Sequence, residues 1–230
     1  MRWIITTIVA LVAGFAGAAA WDYSGFGSDR MRADLIAQPD WLPEAMNEYQ
    51  ALQMAEQIAP LRAELEAPYP GAVLGNPEGA ITLVEFSDYA CGYCRQTLAD
   101  VNALIAANPD LKVVVREYPI LSAGSADAAR MALAAADQGR FEEFHNAMFA
   151  QDGPSMDGIT AAATAAGVDL AAAQTAIEAG QYESQLQNNV FLGQTMRLSG
   201  TPAFVVGNQV LNGAVGAERI GEAIAEARDS

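Results

Sequence analysis

The sequence predicts an α/β fold: a small sheet containing a parallel crossover, a long helical insertion, and a helical extension on the N-terminal side. Three observations carry that prediction. The apolar run 81–86, the helical pattern from Arg95 and the apolar run 112–118 follow one another at the spacing of a strand, helix, strand crossover. Residues 122–198 contain no strand-like run. Residues 200–211 then read as a hairpin, and 217–227 as a closing amphipathic helix.

From the start of the chain, Arg2 precedes an apolar stretch from Trp3 to Phe15 and the small-residue tail Ala16-Gly17-Ala18-Ala19-Ala20. That is the arrangement of a cleavable export signal over about residues 1–20. The uncharged run reaches Trp21 and is just long enough to span a bilayer, but its Gly and Ala content favours cleavage over anchoring. Export, in the simplest case to the periplasm, puts the folded part where disulfides form and persist. The composition, 52% apolar and 17% charged over 230 residues, suits one globular domain with a small extension. The balance is acidic, with 28 Asp and Glu against 12 Lys and Arg and a net charge of −16. With Lys112 as the only lysine and no basic patch, nucleic acid is excluded as a partner.

Residues 22–40 carry Gly, Ser and Asp and read as an irregular lead-in. From 42 to 66 the pattern turns helical, with Leu42, Met46, Tyr49, Leu52, Ile58, Leu61 and Leu65 near one stripe and Pro60 placed to kink or split it. The extension 21–70 therefore either folds back on its own domain or pairs with copies of itself through residues 42–66, because an apolar stripe is not left wet. Ala67-Pro68-Tyr69-Pro70-Gly71 joins it to the domain 71–230, and Gly75-Asn76-Pro77-Glu78-Gly79 reads as a turn.

The first strand, 81–86, holds Glu85 among Leu, Val and Phe. Buried there, a carboxyl takes a raised pKa and can hold or pass a proton. After it comes Cys91-Gly92-Tyr93-Cys94, containing the only two cysteines of the chain, at the handover from strand to helix. A helix start presents unpaired N–H groups and a positive dipole end, which favours a thiolate at Cys91. Cys94 lies one turn further in, under Cys91 and better buried. As a staple the pair closes so short a loop that about 2 kcal/mol follows from chain entropy. As a zinc site it lacks partners, His145 being the only histidine. Two soft sulfur ligands do leave room for Cu(I) sequestration as an alternative to redox work.

The helix from Cys91 extends to about residue 107, with Leu98, Val101 and Ile105 continuing the face of Cys94. Strand 112–118 follows. A parallel crossover here puts the cysteines at the C-terminal end of a strand, where open α/β sheets place their sites. The insertion, about 122–198, contains helical patterns at 125–137, at the Phe141, Phe144, His145, Met148 and Phe149 stripe, and at 158–166, 169–179 and 182–198. His145 reads as a packed or hydrogen-bonded side chain of that stripe. Thr201-Pro202 opens a strand, a natural place for a cis peptide bond, and Asn208-Gln209 reads as the turn to the returning Val210-Leu211.

With these residues in place, the chain over about 70–228 resembles thioredoxin-fold proteins of the DsbA-like superfamily. The resemblance rests on Phe86-Ser87-Asp88-Tyr89 before Cys91, Glu85 six residues upstream, Arg116-Glu117-Tyr118-Pro119-Ile120, and Thr201-Pro202. It implies a thioredoxin fold with Cys91 as nucleophile, Cys94 as resolving thiol, Glu85 as buried acid, and a cis-Pro202 that, with Thr201, Gly92 and Tyr93, shapes the peptide site. It implies no cofactor and no metal. The N-terminal helical segment followed by Gly75-Asn76-Pro77 is similar to the ScsC subgroup, whose N-terminal helices mediate oligomerisation. Gly92-Tyr93 and the threonine before the proline resemble disulfide isomerases of the DsbC and DsbG type rather than DsbA. The implied activity is thiol:disulfide exchange with unfolded or misoxidised secreted proteins, as isomerase or reductase, with a redox partner resetting the pair. A dithiol oxidase donating disulfides is the alternative direction.

Overall fold

The structure, a computed structural model, describes residues 2–23, 26–38 and 41–228. It divides into two compact units, Met1–Leu52 and Gln53–Ser230. The first holds α1 (Arg2–Tyr23) and α2 (Phe26–Ala37), and α3 (Trp41–Ile58) begins in it. No helix among the described residues is long and apolar enough to cross a membrane. The lead-in expected to be irregular is thus helical over Phe26–Ala37. Its Met31, Arg32, Ala33, Leu35 and Ala37 are good helix formers and outweigh the Gly and Ser before them; residues 24, 25, 39 and 40 of that stretch lie outside the described residues.

In the second unit α3 ends at Ile58 and α4 (Arg62–Glu66) restarts after Pro60, the split expected of a proline. Ile58 and Leu65 are buried here, and Met54 and Leu61 pack beside them. The part of the apolar stripe from residue 54 onward therefore folds back on its own domain. In the first unit Leu42, Met46, Tyr49 and Leu52 stay exposed.

Five strands follow: β1 (Val73–Gly75), β2 (Ile81–Ser87), β3 (Leu111–Glu117), β4 (Ala203–Val206) and β5 (Gln209–Asn212), in the sheet order β1-β3-β2-β4-β5. The β2–β3 pair is parallel, with Glu85 opposite Val115 and Ser87 opposite Glu117, and the crossover between them is α5 (Gly92–Ala107). The remaining pairs are antiparallel. β1 escaped the sequence reading. The hairpin turn is Gly207-Asn208, one residue before the expected position, because Val206 pairs with Gln209 and Gly207 takes a φ of 54°.

The insertion is α6 (Ala123–Asp137), α7 (Phe141–Phe149), α8 (Met156–Ala165), α9 (Leu170–Glu178) and α10 (Glu183–Thr195), and α11 (Gly216–Arg228) closes the unit. The alanine-rich α6 packs against α7, α8 and α9. Its buried Ala128, Ala129, Ala132, Ala134, Ala135 and Ala136 leave little side-chain bulk in the way of close approach.

Side-chain alternation gives the sheet two distinct faces. Leu83, Val113, Val115, Phe204 and Val206 join the larger core with α5, α6, α7 and α11. Val84, Phe86, Val114, Ala203 and Val205 join a second core with Ile58, Leu65, Tyr118, Leu192 and Met196. On α5 the fully buried stripe is Cys94, Thr97, Val101 and Leu104. Leu98 and Ile105, expected to continue the face of Cys94, lie partly exposed along its flank.

Candidate active site

β2 ends at Ser87, and the turn that follows is organised by Asp88. Its Oδ1 accepts from the Ala90 N–H at 2.8 Å and its backbone carbonyl from the Cys91 N–H at 2.9 Å. Its Oδ2 accepts from the N–H groups of Ile120 and Leu121 at 2.9 and 3.0 Å, tying the turn to the segment after β3. A short polar side chain bonding its own turn is the usual Asx device.

Cys91 is the N-cap of α5 with extended backbone, and its Sγ accepts from the Cys94 N–H at 3.4 Å. The same Sγ–H donates to the carbonyl of Thr201 at 3.2 Å, and the Thr201–Pro202 bond is cis. The sites expected at residues 91–94 and 201–202 thus meet, although 110 residues separate Cys91 from Thr201. Cys91 is 6% exposed and Cys94 1%. Burial pushes the Cys94 thiol up to about 12, with the neighbouring Cys91 adding to the rise and the Asp88 N–H and Thr201 hydroxyl offsetting part of it. Gly92 and Tyr93 form the exposed outer edge of the motif, Tyr93 at 64%. An added Cβ at Gly92 would meet nothing within 4 Å, so no close contact requires glycine there.

Glu85 lies on the face of the sheet that carries Leu83, and it is 2% exposed. Burial raises its carboxyl to about 7, against a smaller opposing effect of Ser87. The Ser87 hydroxyl, beside Glu85, and the Thr201 hydroxyl, beside Cys94, are buried without a partner in good hydrogen-bond geometry. Among the described residues no group of three or more His, Cys, Asp and Glu could hold a metal ion.

Three further buried residues, Tyr89, Glu117 and His145, meet on the same face of the sheet as Glu85. Tyr89 Oη lies 2.9 Å from Glu117 Oε1 and 3.0 Å from His145 Nδ1, all three buried. On the opposite face the Arg116 guanidinium donates to the carbonyls of Glu64, Leu65 and Ala67 and to Asn189 Oδ1. The only sequence signal for Asp88, Tyr89, Arg116 and Glu117 was their place in the motifs flanking the cysteines.

Residues 82–225 match the DSBA-like thioredoxin domain, well over half of the chain. The chain belongs to the DSBA-like thioredoxin family. A solved thioredoxin-like oxidoreductase from Silicibacter pomeroyi DSS-3 is 40% identical, with a TM-score of 0.66 over 69% of this chain and 92% of that one. The thiol-disulfide exchange protein alpha-DsbA2 from Wolbachia pipientis is 25% identical, with a TM-score of 0.70 over 77% and 97%. A linker-deletion form of Proteus mirabilis ScsC shares the fold, at 22% identity and a TM-score of 0.67 over 86% and 92%. Among curated proteins, the Na(+)/H(+) antiporter NhaA 1 of Salinispora arenicola (strain CNS-205) is 27% identical over 189 residues, covering 81% of this chain and 29% of the antiporter. The chain spans less than a third of the length of the curated relatives it matches. Within the DSBA-like family, this member carries Gly92-Tyr93 between its cysteines and so has no histidine inside the motif.

Proposed function

We propose that the chain is an exported thiol:disulfide oxidoreductase acting on unfolded or misoxidised proteins, as an isomerase or reductase. One observation carries the proposal. Cys91 Sγ stands at the N-cap of α5, 3.2 Å from the carbonyl before cis-Pro202, while Cys94 is shut away with its thiol pushed up to about 12. The Cys94 N–H that meets Cys91 Sγ is a donor already in place for the sulfur when it attacks as a thiolate.

In this reading the Cys91 thiolate attacks one sulfur of a client disulfide, forming a Cys91–client bond and releasing the other client sulfur as thiolate. Cys94 then loses its proton and attacks Cys91 Sγ, closing the Cys91–Cys94 disulfide and freeing the second client thiolate. The client gains two electrons and the protein loses two. In isomerisation a client thiolate attacks the mixed disulfide instead, and the protein leaves as the dithiol it began as. Glu85, with its carboxyl near 7, is assigned to take the Cys94 proton. Thr201 and Pro202, with Gly92 and Tyr93, frame the place where the client chain lies. A dithiol partner resets the pair after each reduction.

The direction follows from the motif. Gly92-Tyr93 supplies no histidine to stabilise a thiolate, and a less stabilised thiolate makes a less oxidising disulfide. Residues 1–20 are assigned as the export signal and the periplasm as the place of action. The exposed Leu42, Met46 and Tyr49 of α3 are assigned to self-association, which would present several thiols around one client. The reduction potential tests the direction. A value well below the about −120 mV of DsbA, with recovery of scrambled ribonuclease, is expected. A value near that of DsbA, without recovery, would instead make the protein a dithiol oxidase.

A further inference from the structure

Tyr89, two residues before Cys91, buries its ring against Phe144, His145 and Phe149 of α7, with centroid separations of 5.9, 5.5 and 4.9 Å. Its hydroxyl lies between Glu117 at the end of β3 and His145. A phenol carries one proton and can donate to only one of these neighbours. The other must bring a proton of its own. Two arrangements satisfy all three groups: an ionised Glu117 with a proton on His145 Nδ1, or a protonated Glu117 with a bare Nδ1. The first leaves a carboxylate in a site without a cation. The other titratable groups that act on it are Glu85 on β2 and Asp88 in the turn, while the guanidinium of Arg116 is bonded to carbonyls on the opposite face.

Resting on the exchange activity proposed above, we propose that Glu117, Tyr89 and His145 form an uncharged hydrogen-bond chain that fixes the turn bearing Cys91, with Tyr89 as a positioning residue. Glu117 donates to Tyr89 Oη, Tyr89 donates to His145 Nδ1, and the imidazole proton sits on Nε2. Burial drives the Glu117 carboxyl well above its ordinary range against the opposing hydrogen bond with Tyr89, with the charges of Asp88 and Glu85 adding to the rise, and drives His145 down to about 4. Both directions keep the chain neutral. The turn is thereby gripped from two sides, by Asp88 on the backbone of Ile120 and Leu121 and by Tyr89 on β3 and α7. How firmly the turn is held sets how well Cys91 Sγ is aligned over Cys94, hence the effective concentration of the pair and the stability of its disulfide.

His145 is the only histidine in the chain, so imidazole nitrogen resonances of the full-length protein report on this chain without overlap. The expected result is an Nε2-protonated tautomer with Nδ1 accepting, unchanged between pH 8 and 6. In Tyr89→Phe the Nδ1 resonance moves, the rate constant for attack on a client disulfide falls about tenfold, and the disulfide weakens by about the same factor, which is about 30 mV toward less negative potential. Glu117→Gln keeps an uncharged donor and should recover most of what Glu117→Ala loses. An Nδ1-protonated tautomer, a Tyr89→Phe protein of unchanged rate and potential, or Glu117→Gln as damaging as Glu117→Ala would each overturn the proposal. If the wild-type protein exchanges no disulfide, the functional reading has failed instead, and the tautomer alone decides whether the chain exists.

Discussion

Arg116 and Glu117 stand side by side in β3, both buried, and they meet the same problem in opposite ways. Arg116 keeps its charge. Burial pulls its pKa down and the nearby Glu64 opposes that pull, but a guanidinium does not give up its proton in a protein. Instead it is wrapped by carbonyls at the C-terminal end of α4, where a helix favours a cation, and by Asn189, which in turn donates to the Glu117 carbonyl at 3.0 Å. Glu117, on the other face, is driven toward the protonated form and joins Tyr89 and His145. Fixed dipoles hold the permanent charge of Arg116, whereas burial on the other face favours a Glu117 that carries its proton. One face of the sheet thus anchors α4 and α10, and the other backs the cysteines.

Substitutions on either face of the sheet separate the two roles. Cys91→Ser should abolish disulfide exchange with model clients and leave thermal unfolding nearly unmoved, since the site face loses only its reacting atom. Arg116→Met should lower stability by about 3–5 kcal/mol in urea titrations, because several buried acceptors lose their donor at about 1–3 kcal/mol each. Exchange per folded molecule should survive that change.

Glu85 sharpens the comparison through pH. Its folded pKa is raised from 4.5 to about 7, so its contribution is fully present below 4.5 and lost as pH rises through 7. Glu85→Gln should remove on the order of 3 kcal/mol of that pH dependence, read from unfolding free energies at several pH values. His145 acts in the opposite sense. Lowered from 6.5 to about 4, it costs stability as pH falls through that window, and the two slopes partly cancel where they overlap. The smallest effect belongs to Gly193 of α10, where an added Cβ would lie 2.6 Å from the Tyr118 ring. Gly193→Ala should cost about 1–3 kcal/mol by overpacking the Arg116 face, with exchange activity retained.

Much of this was legible in the sequence. Period and spacing showed β2, α5 and β3, and the two cysteines and Thr201-Pro202 marked the ends that meet. β1 was not legible, since three residues at a sheet edge are too few to show alternation. α2 was hidden by the Gly, Ser and Asp around it. The Tyr89, Glu117 and His145 chain was hidden for a different reason. Its members come from a turn, a strand end and a helix, Glu117 standing 28 positions and His145 56 positions after Tyr89. The run 112–118 reads as a strand and His145 as packed or hydrogen-bonded, but neither reading names a partner. Only the register of β3 beside β2 and the docking of α7 bring the three together.

The central claim is that Cys91 and Cys94 cycle between dithiol and disulfide. Equilibrating the full chain with glutathione mixtures and trapping free thiols tests it most directly. The account predicts one two-electron transition with a midpoint well below about −120 mV, absent from Cys91→Ser. Two freely labelled thiols at every glutathione ratio would contradict it.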